Sequence, residues 1–172
     1  MTITTDPLAL AQPGTTAPVG GSRTPRLVLE RLAAHRTELL EQVRFDDHSR
    51  WHRRLSPAEA GTDAVEVWLL SWLPGQESPL HDHGGASGAF TVLAGALDET
   101  VVSRSNTSRD HLWVRGPLRS FGEHHIHRVG NDGDLPAVSL HAYRPSLSSM
   151  RRFDRGRDGL VLRAIEEAGR DW

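Results

Sequence analysis

His81 and His83 flank Asp82 in the stretch PLHDHGGASG. Along an extended strand, residues two apart point to the same side, so both imidazoles face one way and Asp82 the other. Such a pair can chelate one metal ion, although a lone His-x-His on a half-exposed strand is also simply two polar residues. A second set of residues sits in SLHAY, where Ser139, His141 and Tyr143 alternate along one strand face. A hydroxyl, an imidazole and a phenol arranged in this way can form a hydrogen-bonded relay. A strand with one half-polar face would have the same pattern. Tyr143 is the only tyrosine in the chain.

The composition narrows what these residues could do. There are no cysteines, which removes disulfide frameworks and thiolate metal sites and leaves His, Asp and Glu as ligands. The formal net charge is -2, so no overall field draws the chain to nucleic acid or to a membrane surface. All basic residues are arginine, a bias of composition rather than a sign of function. No apolar run approaches the roughly 20 residues that span a bilayer. The N-terminal segment lacks a basic region ahead of its short apolar patch, so a secretory signal is not expected. With the lack of disulfides, this points to a cytoplasmic protein; separately, a monomer or weak oligomer is expected.

The elements that must position these residues can be read in outline. Residues 1–25 are rich in Thr, Pro, Gly and Ala without periodicity, and a flexible tail is expected there, followed by a single domain over 26–172. RLVLERLAAHRTELLEQV carries leucines at helical spacing and predicts one or two amphipathic helices. From Trp51 the pattern becomes extended. AVEVWLLSWLPGQ, GAFTVLAGALDETVV (broken at Ala94-Gly95), HLWVRG, SFGEHHIHRVGN and AVSLHAYRP read as short strands separated by Gly, Pro, Asn and Asp. The fold class is therefore all-β, a barrel or sandwich. GLVLRAIEEAGRDW has helical periodicity, with Leu160, Leu162 and Ile165 expected to pack on the barrel.

Two separated motifs resemble the cupin superfamily, whose fold is a double-stranded β-helix barrel. Gly75, His81, His83 and Gly95 stand in the register of the first cupin motif, with Gly88 where a carboxylate ligand is usual. GPLRSFGEHHIHRVGN places Gly116, His127 and Asn131 in the register of the second, with Gly122 and His124 in its proline and glycine slots. The resemblance implies a metal held by His81, His83 and His127 without a carboxylate. His125 is the runner-up ligand by strand parity, and His124 and His125 otherwise read as polar rim or supporting residues. His35, His48, His52 and His111 read as surface residues.

HDHGGASGAFTVLAGALDET, HRVGN and VSLHAYRP together resemble the cysteine dioxygenase family of thiol dioxygenases, from about Trp51 to Pro145. That likeness implies Fe(II) as cofactor and oxidation of L-cysteine to cysteine sulfinate by O2. It implies that Tyr143 orients substrate and oxygen, with His141 and Ser139 behind it. It also implies that Arg53, in RWHRRL, binds the substrate carboxylate. Animal members carry a cysteine at the Gly88 slot, cross-linked to the relay tyrosine. This chain cannot form that link and resembles the bacterial branch. Three other readings remain open: a dioxygenase of another small thiol such as 3-mercaptopropionate, a three-His zinc hydrolase or isomerase, and a non-catalytic metal-binding cupin.

Overall fold

The computed structural model describes residues 23–168 and residue 170. Most of the expected N-terminal tail lies outside these residues. Helix α1 (Pro25–Ala33) begins at Pro25, capped by the Thr24 hydroxyl accepting from the Leu27 N–H. Proline at the first helical position lacks only a donor that would be unused there. Val28, Leu29 and Leu32 form the buried stripe of α1, and a short α2 (Arg36–Leu40) buries Leu39.

The chain then turns extended. Strand β1 (His52–Arg54) leads through the single turn α3 (Pro57–Ala60) to β2 (Glu66–Trp72). Strands β3 (Ser87–Ala94) and β4 (Ala96–Val102) meet at Gly95, where φ is +70° and an added Cβ would lie 2.6 Å from the Pro136 carbonyl oxygen. Only glycine meets both demands, which explains the break at that point. After β5 (Ser108–Val114), the SFGEHHIHRVGN segment is not one strand but two, β6 (Leu118–Phe121) and β7 (His127–Gly130), with a turn between them. Strand β8 (Ala137–Arg144) carries SLHAY.

The C-terminal segment departs from expectation. It is not a helix. It is β10 (Gly159–Glu167), paired antiparallel with β9 (Ser149–Gly156). The Asp158-Gly159 dipeptide at the turn is a strong hairpin signal, and cross-strand pairing outweighs the helical propensity of LVLRAIEE. Leu160, Leu162 and Ile165 do share one face, but it is a strand face. A bulge between Leu162 and Ala164 restores the parity, and Leu162 and Ile165 are about half exposed.

Two antiparallel sheets face each other. One has the order β1-β2-β8-β3-β6. The other runs β5-β4-β7 and continues through residues 80–82 to β9 and β10. The His81 backbone exchanges two 2.9 Å hydrogen bonds with His127, while Asp82 N–H donates to Arg151 O and Phe153 N–H to Leu80 O. The segment bearing His81 is thus held between two strands. Val67, Leu69, Ala89, Leu140 and Ala142 on the outer face of the first sheet pack under α1, in the core that also holds Leu29. Trp72, Val92, Leu97 and Val129 fill one part of the space between the sheets, and Phe90, Phe121 and Tyr143 another. Among the described residues no helix is long and apolar enough to cross a membrane.

Candidate metal centre

His81, His83 and His127 converge between the sheets. Their ring centroids form a near-equilateral triangle with sides of 5.0, 4.9 and 5.0 Å. One ligand nitrogen from each lies within 4.8 Å of the others. The backbone pairing of residues 80–82 with β7 produces this, because His81 and His127 are directly opposed in the ladder.

The outer ring nitrogens have distinct partners. His81 Nδ1 is 2.8 Å from the Pro79 carbonyl, and His127 Nδ1 is 2.8 Å from Glu99 Oε1. Both arrangements fix the tautomer and leave Nε2 free to face inward. His83 has neither nitrogen bonded, although both are buried. Buried polar atoms without partners cost about 1–3 kcal/mol each, and a metal ion would satisfy the inward one. Burial, reinforced by the neighbouring imidazoles, pushes His81 down to about 3 and His83 well below its ordinary value. Burial also lowers His127, against the opposing pull of Glu99. Metal ligation requires neutral imidazoles, and these three are neutral. The donor set fits a divalent ion.

The Gly88 slot is closed to any ligand. A Cβ there would come within 2.6 Å of the Phe121 ring and 2.7 Å of the Ala142 carbonyl. Phe121 stacks against His83 at 4.8 Å and against His125 at 4.7 Å.

Glu99 was not evident among the strand residues of the sequence. It is fully buried on β4, and its Oε1 accepts from both His125 Nε2 (2.9 Å) and His127 Nδ1. Its Oε2 accepts from Trp113 Nε1 at 2.9 Å and Arg119 Nε at 3.3 Å. Burial alone would raise this carboxyl, but its histidine partners hold it well below the usual carboxylate range. The available signal was parity, since Glu99 shares the inward face of its strand with the buried Leu97. His125 sits in the turn before β7 rather than on a strand, bonded to Glu99 and grouped with Glu99 and His127 in a second set that could hold an ion, whereas His124 is exposed beside Glu123.

The SLHAY face also turns inward. Ser139 Oγ lies 2.9 Å from His141 Nε2 and accepts from Trp72 Nε1 at 2.9 Å, adding a tryptophan to the expected pair. Burial first, then His127, keeps His141 well below its ordinary value and therefore neutral. No hydrogen bond joins His141 to Tyr143. Tyr143 instead packs at 5.1 Å from the His83 ring, and burial raises its phenol, opposed by the Arg50 charge.

A pocket opens beside the triad, lined by Arg50, Trp68, Trp72, His81, His141 and Tyr143 among others. Arg53 is not among its walls. It pairs in β1 with Leu69, on the helix side of the sheet, and its guanidinium bonds Glu59 at 2.8 Å and Gln42. Arg50, rather than Arg53, lines the pocket. The Arg50 guanidinium lies 4.5 Å over the Trp72 ring, with its Nε buried and unbonded. His52 is exposed, as expected, and also lines the pocket rim, 5.5 Å from the Trp68 ring.

The family model for Cysteine dioxygenase type I matches residues 26–156. The chain is 28% identical over 138 residues to cysteine dioxygenase type 1 of Homo sapiens, covering 74% of this chain and 67% of that one. Among solved structures, a Klebsiella pneumoniae protein with a double-stranded beta-helix domain aligns with a TM-score of 0.52 at 19% identity, over 73% of this chain and 94% of its own. TT1209 from Thermus thermophilus aligns with a TM-score of 0.53 at 20% identity, over 62% and 93% respectively. These structural likenesses establish the all-β cupin fold.

Proposed function

Because the chain belongs to the cysteine dioxygenase type I family, we propose that it is a non-haem iron thiol dioxygenase converting L-cysteine and O2 to cysteine sulfinate. The observation that carries this reading is the triad, with His83 and His127 buried, His81 half-buried and both ring nitrogens of His83 unbonded. His81, His83 and His127 would hold Fe(II). Three neutral imidazoles leave the ion its full charge, and the ion would then bind a thiol as thiolate and supply the oxygen chemistry.

The protein's own groups bind and orient. Arg50 offers a guanidinium, its Nε buried and unbonded, to a carboxylate at the pocket wall. Its placement over Trp72 fixes the fork of donors, which suits bidentate recognition. Tyr143 keeps its proton and can donate it in a hydrogen bond to substrate or oxygen. Ser139 and Trp72 hold the His141 ring behind it. Trp68, Leu70, Val129, Leu147 and Met150 give the pocket apolar walls that limit water.

One observation favours 3-mercaptopropionate as a second reading. Among the described residues no Asp or Glu lines the pocket to receive a substrate ammonium. The test is anaerobic metal analysis followed by O2 uptake with each thiol. Iron near one per chain and one O2 consumed per sulfinate formed are expected, with the ratio of kcat/KM choosing the thiol. Zinc in the site with no O2 uptake would overturn the dioxygenase reading.

A further inference from the structure

The metal ligands of this chain differ in what stands behind them. His81 donates to a neutral carbonyl, His83 has no partner, and His127 donates to a carboxylate. Among the described residues, that carboxylate, Glu99, is the only acidic group bonded to any of the three. It is engaged on both oxygens by four donors, from His125, His127, Trp113 and Arg119. So many donors, one of them a guanidinium, fix Glu99 as an anion in one orientation.

We propose that Glu99 supplies, through His127, the negative charge that the closed Gly88 slot denies the metal. An imidazole whose Nδ1–H is held by a carboxylate becomes a stronger donor at Nε2. His127 is therefore the electron-rich ligand of an otherwise neutral set, and Glu99 is a positioning residue that favours the oxidised ion over the reduced one. Trp113 and His125 hold the carboxylate in place, and Arg119 opposes its charge. This rests on the reading of the triad as an iron site, but its test can be separated from that reading.

Two variants act in opposite directions on charge. In Glu99→Gln the anion is lost while size is kept. The ratio of Fe(III) to Fe(II) binding constants should fall about tenfold, a midpoint potential roughly 59 mV more positive by the one-electron conversion. In Arg119→Gln a positive charge facing the same carboxylate is lost while the bond to His127 is untouched, so the potential should move the other way. Loosening of the site would move both variants in the same direction. Zn(II) titration of the metal-free proteins gives a second readout that does not depend on iron. Glu99→Gln should bind Zn(II) about 10–100-fold more weakly than the wild type.

If Glu99→Gln does not fold, the negative shift in Arg119→Gln carries the proposal, and its absence overturns it. An unmoved potential in Glu99→Gln, or shifts of the same sign in both variants, also overturns it. Wild-type protein that takes Zn(II) but no iron would sink the dioxygenase reading while leaving the affinity arm to decide on Glu99. Wild-type protein that binds neither ion would sink both.

Discussion

Arg50 and Arg53 differ by three positions and by which side of a sheet they serve. Replacing Arg50 by Ala removes a charge-assisted contact of about 1.5–3 kcal/mol, so KM for a thiol carboxylate should rise roughly 10–100-fold. Arg53→Ala acts on an outer ion pair and should leave KM within about twofold. Steady-state kinetics on both variants check this, and the opposite pattern would return the carboxylate to Arg53. Tyr143→Phe should lower kcat about tenfold or more with metal content intact, since it deletes one hydrogen-bond donor and little volume. Full activity in that variant would remove the phenol from the mechanism. At this scale the sequence was legible wherever parity worked. Ser139 and His141 lie on one face of β8 as period two requires, while His81 and His83 converge from a bridge residue and the loop after it rather than from a strand. The resemblance, not parity, chose Arg53: its neighbour in the ladder is Leu69, an outer-face residue, so it points away from the pocket. The missing hydrogen bond between His141 and Tyr143 was beyond sequence, because sharing a face does not set side-chain torsions.

Elements bring the ligands together, and one of them was misread. The leucine spacing of the final segment suits a helix, yet it forms β10, the partner of the strand β9 that braces the segment bearing His81. Asp82, pointing away from the metal as expected, is buried and accepts from Gly84 N–H, from Arg151 N–H and from the Arg151 guanidinium, whose closest approach is 2.6 Å. Asp82→Ala should destabilise the fold by about 1–3 kcal/mol, the cost of stranding those donors, and should weaken metal binding. Urea unfolding and Zn(II) titration read the two effects. A stable variant with native affinity would mean that β9 does not hold the claw. Gly88→Ala places a methyl group against Phe121 and should cost about 1–3 kcal/mol by overpacking. The two-motif spacing made Gly88 legible as a non-ligand, but only the packing of Phe121 explains why nothing larger fits.

The whole molecule encloses several neutral histidines, and this sets its response to acid. His81 falls from an ordinary 6.5 to about 3 in the folded state. Below 6.5 the unfolded chain takes up a proton that the folded one refuses, so stability falls as pH drops. Each such group contributes a slope of about 1.4 kcal/mol per pH unit between its two values. His83, His127 and His141 are shifted in the same direction. Glu99, held below its ordinary 4.5, adds a further loss at lower pH. The urea midpoint of metal-free protein should therefore fall from pH 7 to pH 5, more steeply than one proton allows. A flat profile would mean that water reaches these rings. The all-β class and the cupin register were legible because strand alternation and turn residues are local signals. The pairing of β9 with residues 80–82 was not, because it joins segments far apart in the chain.

That pairing has a consequence for how the chain holds together. The three ligands come from two neighbouring segments of one sheet, and a long excursion through β3, β4, β5 and β6 separates them in sequence. An ion bound there acts as a removable cross-link, closing a loop that the unfolded chain must leave open. Each tenfold rise in free metal above its dissociation constant should add about 1.4 kcal/mol to the folded state. The melting temperature would then track metal supply, so the fraction of chain that is folded becomes a gauge of the metal available to it.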